Sequence, residues 1–278
     1  MKSLLDLPLP AWLAITWTFF TVMPWAIDRT FSAMWPQTRL APDPAAVRYR
    51  SREGRRVQFI AIHALNTTLL GFCLWAGCQL QQAGIGNLRD APLAWFDVPQ
   101  LLLEGLLVLI VFDAQFYWEH RTMHRSPRLM RWFHAEHHLD RAPDAWSAMY
   151  QHPLDFLLAT ATPMAWCVVL PVHEVAWFGA LLVANYITLA GHCGHEVTRL
   201  LPGIVSPNGW AAMLDPQRRG IARAFNAVTH HELHHARFSC NYALYFTHWD
   251  RWMGTLEPDT ENVYRRIAAN FQVRRRTQ

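Results

Sequence analysis

Lysine is almost missing from this chain: Lys2 is the single one, and the other 24 of the 25 basic residues are arginine. The bias reads as genome composition rather than chemistry, and a net charge of +4 gives no ground for a nucleic-acid partner. Charge as a whole is scarce, at 17% of residues, where an ordinary soluble domain carries about 25%. Cysteine is scarce too. Five scattered cysteines with no CxxC exclude a disulfide framework and a cysteine-based zinc site. No glycine-rich nucleotide fingerprint is present, which excludes a flavin or nicotinamide carried by this chain. The leading apolar run, Ala11 to Ile27, has neither a basic region before it nor a small-residue cleavage site after it, so it is expected to be a retained helix. Residues 1–100 contain no chemical motif.

What the chain does contain is apolar length and histidine. Hydrophobic residues make up 52% of it and tryptophan contributes 14 residues, a type that concentrates at membrane interfaces. After the first run, Arg29 to Arg56 forms a basic, proline-interrupted stretch (Pro36, Pro42, Pro44), expected to be a loop ending in a short helix against lipid headgroups. Val57 to Leu80 is long enough to cross about 30 Å of hydrocarbon. Leu101 to Trp118 is a third crossing. Leu154 to Leu170 and Val175 to Ala190, joined by a tight PVHE turn, are expected to span or to form a re-entrant hairpin; either way the chain returns to the side it left.

Ten of the fifteen histidines fall in four clusters. His231, His234 and His235 sit at i, i+3 and i+4, so on an α-helix their imidazoles leave one face within an arc of about 100°. His134, His137 and His138 repeat that spacing. His120 and His124 are at i, i+4, and His192 and His195 at i, i+3. Neutral imidazole is a ligand for zinc, iron and copper, and one such cluster alone also suits a solvated turn. Four clusters over-supply one ion and fit two ions of four or five ligands each. His63, His173 and His248 are read as non-ligands. So is His230, because the first HxxHH cluster has Phe133 at the matching position.

Arginine distribution orients the chain. With Lys2, Arg89 and the PVHE turn outside, the other 23 basic residues are cytoplasmic, and all four clusters lie on the cytoplasmic side. The expected fold class is all-α: an integral-membrane helical bundle with a cytoplasmic helical cap holding a histidine-rich di-metal site. It forms one membrane domain over 1–278, made of N-terminal helices and a basic loop (1–100), a histidine-motif region (101–260) and a basic tail (261–278).

The order HxxxH, HxxHH, a later histidine, then HxxHH followed by NYALYFTHWDRWMGT resembles the fatty acid hydroxylase and sterol desaturase superfamily of integral-membrane di-metal oxygenases. Its sterol 4-methyl oxidase branch is the nearest likeness. The resemblance runs from about Asp113 to Thr255. It implies oxygen-dependent hydroxylation, desaturation or methyl oxidation of a membrane lipid by two iron ions, with zinc able to take the same ligands. Electrons would come from a separate ferredoxin, cytochrome b5-like protein or reductase. The ligands it implies are His120, His124, His134, His137, His138, His192, His231, His234 and His235, with His195 as a tenth. Asp113, His152, Asn241 and Asp250 are expected to support ligands or pack around them, as are Tyr242 and Trp249. For Asp113 the alternative is a structural hydrogen bond within the bundle, and for His152 a turn leading into a membrane segment.

Two other readings use the same residues. His231, Glu232 and His235 also spell HExxH, the signature of zinc hydrolases, in which the glutamate activates water. An intramembrane zinc protease is therefore an alternative, although the first HxxHH has Ala135 where the glutamate would stand. A non-enzymatic metal transporter or sensor is the other, and it would want its ligands at the bilayer midplane.

Overall fold

The computed structural model describes residues 3–40, 55–200 and 206–274, with side chains described up to 267. The described residues are helical, without a β-strand beyond three isolated bridges. The long helices are α1 (Leu9–Met34), α2 (Arg56–Gln82), α3 (Val98–Arg125), α4 (Pro153–Ala165) and α5 (Glu174–Gly191). Shorter ones follow: α6 (Pro207–Leu214), α7 (Val228–Arg237), α8 (His248–Trp252) and α9 (Thr260–Arg274). The surface helix expected within the basic loop falls on 41–54, outside the described residues, and so does the end of the basic tail.

Four helices, α1, α2, α5 and α3 with the turn before it (Trp95–Arg125), are long and apolar enough to cross a bilayer, as an integral membrane protein requires. Arg29 lies inside α1, so the first crossing runs further than its apolar core. α4 has 13 residues, about 20 Å of rise, extended by a 3-10 turn at Trp166–Val168. It nonetheless travels from the histidine end to the level of the last turn of α2, where the Cys167 carbonyl accepts from Gln81 Nε2 at 3.0 Å. α5 then returns, so the two make the expected hairpin.

Inside lipid the hydrophobic effect does not press helices together, and close packing and polar contacts must do so. α1 turns one face inward, with Trp12, Thr16, Phe20, Pro24, Ile27 and Phe31 buried at helical spacing. Its partner α2 presents Gly71, where an added Cβ would stand 2.9 Å from Leu13 and 3.0 Å from Thr16; only hydrogen lets the two backbones approach. From α2, Asn66 Nδ2 donates to the carbonyls of Met149 and Gln151, both at 2.9 Å, which ties the segment after the first HxxHH motif to the bundle. A second core joins Val108, Leu109 and Phe112 of α3 to Trp177, Leu181 and Ala184 of α5, capped by Leu244, Tyr245 and Phe246. At the end remote from the histidines, Arg89 pairs with Glu104, and Glu104 also accepts the His173 backbone N–H at 2.6 Å. His173 is thus a structural residue at the opposite end of the bundle.

Candidate metal centre

Nine histidines converge into two groups at one end of the bundle. His120, His124, His134, His138 and His234 form the first, and His137, His192, His231 and His235 the second; within each group the ligand atoms lie within 4.8 Å of one another. Each HxxHH motif is divided between them. The i and i+4 histidines of the first motif (His134, His138) enter the first group and its i+3 histidine (His137) the second. In the second motif the allocation is reversed, with His231 and His235 in the second group and His234 in the first. The spacing placed each motif's histidines on one helical face, within an arc of about 100°; that divergence between i+3 and i+4 is enough to reach two groups.

The local backbone differs between the motifs. His231 to His235 lie on α7 as expected. His134 ends a π-helical turn, Met130–His134, with Ala135 N–H bonded to the Met130 carbonyl at 2.7 Å, and His137 begins a 3-10 turn. The π-turn widens the helix by one residue at a functional site, a common use of such bulges.

The ring orientations test whether the groups fit a metal. Six of the nine rings turn Nδ1 toward a fixed acceptor: His120 to the Tyr242 carbonyl at 2.8 Å, His134 to Asp155 Oδ2 at 2.8 Å, His137 to the Tyr150 carbonyl at 3.3 Å. His192 reaches the Thr188 carbonyl at 2.7 Å, His234 the Cys240 carbonyl at 2.7 Å and His235 the Asp140 carbonyl at 3.0 Å. A neutral ring that donates from Nδ1 has only a lone pair on Nε2. Yet Nε2 atoms face each other at 3.3 Å between His137 and His192, with further contacts of 2.8 to 3.2 Å in both groups. Lone pairs at that distance repel unless a cation lies between them. Two nitrogens bound at about 2.0–2.1 Å to one ion are about 2.9 Å apart at a right angle and about 3.3 Å apart at the tetrahedral angle. The donor set therefore fits two metal ions.

Burial keeps six of these rings neutral and so ready to bind. It pushes His137, His138, His231 and His235 well below the ordinary histidine range, with neighbouring imidazoles adding to the effect. His192 is lowered to about 4 and His234 to about 3, mainly by burial.

His195 does not join either group. α5 stops at Gly191, and Gly194 turns the chain with φ of 69°, so the i, i+3 spacing of His192 and His195 no longer defines a shared face. His195 Nδ1 instead meets Thr38 Oγ1 at 3.1 Å and its Nε2 meets Ser32 Oγ at 3.4 Å, on the α1 side. His230 also stays out: its Nδ1 accepts the Ala227 N–H at 3.0 Å and caps α7.

The supporting residues act mostly on backbone. Asp113 is fully buried, and Oδ1 accepts the N–H groups of Leu244 and Tyr245 at 2.9 and 2.7 Å. Asp250 accepts those of Tyr242 and Ala243, both at 2.9 Å. Together they hold the extended segment whose Tyr242 carbonyl orients His120. Asn241, at φ 54°, donates to the His230 carbonyl at 3.0 Å. His152 caps α4, accepting the Leu154 N–H at 3.2 Å. The acid that does reach a candidate ligand is Asp155, three residues on, which sequence reasoning passed over. Glu196 was passed over too; it accepts the Thr229 N–H at 2.9 Å and so fixes the first turn of α7. The signal available for both was an acid within three residues of a histidine at the edge of an apolar run.

Beside the two groups a cavity of about 1040 Å³, open space at its mouth included, runs back into the bundle. α3 contributes Phe112, Phe116, Glu119 and Met123, α4 contributes Phe156, Ala159 and Pro163, and α5 contributes Leu181, Ala184 and Thr188. Its lining also includes His120, His134, His137, His192 and His231, drawn from both groups.

A model of the fatty acid hydroxylase family matches residues 105–255, more than half of the chain and the whole of both histidine groups. The chain belongs to the fatty acid hydroxylase family. Relatives of this family member include cholesterol 25-hydroxylase of Rattus norvegicus, 30% identical over 168 residues, which are 60% of this chain and 50% of that protein. Lathosterol oxidase of Rattus norvegicus is 28% identical over 171 residues, 62% of this chain and 50% of the relative. A Delta(7)-sterol 5(6)-desaturase of Gibberella zeae is 23% identical over 222 residues, 78% of this chain and 59% of the relative. The chain thus spans about half the length of the mammalian relatives it matches. No solved structure matches it.

Proposed function

We propose that this member of the fatty acid hydroxylase family is an oxygen-dependent lipid oxidoreductase, which hydroxylates, desaturates or oxidises a methyl group of a sterol-like or acyl lipid. The observation that carries the reading is the cavity, whose largely apolar lining comes from α3, α4 and α5 and includes candidate ligand histidines of both groups. Two irons held there would supply the power to activate O2 and attack an unactivated C–H bond. His120, His124, His134, His138 and His234 would hold one, and His137, His192, His231 and His235 the other. The cavity walls orient the lipid and exclude water, and Asp155 and the five backbone carbonyls keep Nε2 of six of the nine rings aimed inward. Because the chain has no nucleotide fingerprint, its electrons come from a separate ferredoxin, cytochrome b5-like protein or reductase. The arginine distribution supports a cytoplasmic position for the centre and the C-terminus, in a membrane we read as a bacterial inner membrane.

The hydrolase alternative is disfavoured by the same geometry. His231 and His235 share their group with two further histidines, and a single-zinc protease would leave the five-histidine group without a task. A transporter is disfavoured by the position of the groups at one end of the bundle rather than its middle.

The test is a comparison of lipid extracts from cells with and without the protein, grown with and without oxygen. A product that requires both supports the reading. Protein from iron-replete cells should hold about two metal ions per chain, since the ligand number exceeds one ion's capacity. One firmly bound zinc with an oxygen-independent product would instead establish the hydrolase.

A further inference from the structure

Helix α6 carries its apolar side chains on the outside. Trp210, Met213 and Leu214, at i, i+3 and i+4, are 49%, 45% and 77% exposed, while Asn208, Gly209, Ala211 and Ala212 are buried. That is the reverse of a helix on a water-facing cap, whose polar side chains would point outward. Three large apolar side chains exposed together mark a surface meant to be covered.

The position of α6 says what covers it. Ser206 and Asn208 border the same small cavity as Ile187 and Gly191, and both of those belong to the membrane-spanning stretch of α5. The start of α6 therefore lies close to the last turn of α5, at the level where that spanning helix ends. The exposed apolar side chains of α6 thus stand at the end of the bundle where a spanning helix stops, the level at which acyl chains give way to headgroups. Arg219 and Arg223, both exposed, follow in the turn after the helix. Tryptophan with aliphatic residues, followed by arginine, is the order of chemistry met on passing from acyl chains to phosphates.

We propose that α6 is an interfacial membrane anchor, with Trp210, Met213 and Leu214 among the acyl chains of an anionic leaflet and Arg219 and Arg223 at its phosphates. The anchor is coupled to the metal centre. Asn208, on the buried face, donates from Nδ2 to the carbonyls of Asn226 at 2.8 Å and Tyr245 at 3.4 Å. Asn226 leads into α7, which bears the second HxxHH motif, and Tyr245 lines the large cavity. The depth of α6 in the leaflet therefore sets the height at which the histidine groups and the cavity meet the lipid, whatever reaction they support.

Nitroxide labels at Leu214→Cys and, as control, at the exposed Asn262→Cys of α9 test this in a Cys73→Ser background, the other four cysteines being buried. The protein is reconstituted in vesicles of phosphatidylcholine and phosphatidylglycerol, and each label is exposed to molecular oxygen and to a water-soluble nickel chelate. The label at 214 should collide mainly with oxygen, and the label at 262 mainly with nickel. Both sites are exposed, so the labelled proteins should melt with the unlabelled one. Nickel access at 214 equal to that at 262 would overturn the proposal, whether or not the protein oxidises lipid.

Discussion

At the scale of single residues, the decisive question for each histidine is where its second nitrogen points. His134 has the one carboxylate among the six acceptors, Asp155, and a carboxylate behind a ligand raises its basicity and fixes its tautomer. Asp155→Leu should therefore weaken metal binding by about 10- to 100-fold, with the loss confined to the first group, as titration of the purified variant with Fe(II) or Zn(II) would reveal. Asp155→Asn retains an acceptor and should lose less. Three neighbouring histidines separate in the same way. His231→Ala should empty the second group and abolish oxidation. His195→Ala should keep both metals, because its ring contacts Thr38 and Ser32. His230→Phe should also keep them, while the lost cap on α7 lowers stability by about 1 kcal/mol. Metal analysis and melting curves on the three proteins side by side would decide; loss of metal from His195→Ala would return that residue to the ligand set.

At the scale of elements, the crossed allocation of the two HxxHH motifs means that neither motif can be assigned to one ion. Substituting His138 should deplete the first group, substituting His235 the second, and each variant should retain about one metal per chain instead of two. If the motifs served one ion each, the pair His134→Ala and His137→Ala would deplete the same site; here they should deplete different ones, distinguishable by the spectrum of Co(II) bound to each variant. The extended segment 242–246 is the other element that matters. It follows α7 without regular backbone pairing, and Asp113 and Asp250 supply acceptors for four consecutive N–H groups. A buried N–H without a partner costs about 1–3 kcal/mol, so Asp113→Ala should destabilise by several kcal/mol and loosen His120. Asp113→Asn, which retains one acceptor oxygen, should be the milder lesion, and the melting temperatures of the two variants rank them.

At the scale of the whole molecule, the bundle separates its two ends chemically. Arg89, Glu104 and His173 close one end, and both histidine groups lie at the other. With the arginine count as guide, a membrane-impermeant thiol reagent should reach a cysteine placed near Arg89 only from outside the cell, and one placed near Arg276 only from the cytoplasm. Labelling of both from one side would contradict that orientation.

Much of this was legible in the sequence, for definite reasons. The crossings could be read because hydrocarbon demands apolar residues at every position over a fixed length, and the α4–α5 hairpin because a tight turn leaves the chain no other way. Nine of the ten histidines singled out in the sequence converge in the structure, and they could be singled out because ligation needs a residue type and histidine in repeated spacing is rare enough to stand out. The allocation of ligands to ions could not be read, because it depends on a π-turn at Met130–His134 and on the angle at which α7 faces it. His195 was misplaced by the assumption that helix continues through His192; the break at Gly191 and the turn at Gly194 send it to α1 instead. Asp155 was hidden for a related reason: its role comes from α4 folding back against the first motif, a contact across 21 residues. Composition and spacing thus determined the membrane setting, the ligand type and the family. The division of the rings between two groups, the carbonyls that aim them and the cavity beside them were decided only when helices distant in sequence packed, since each depends on directions in space that no single segment contains.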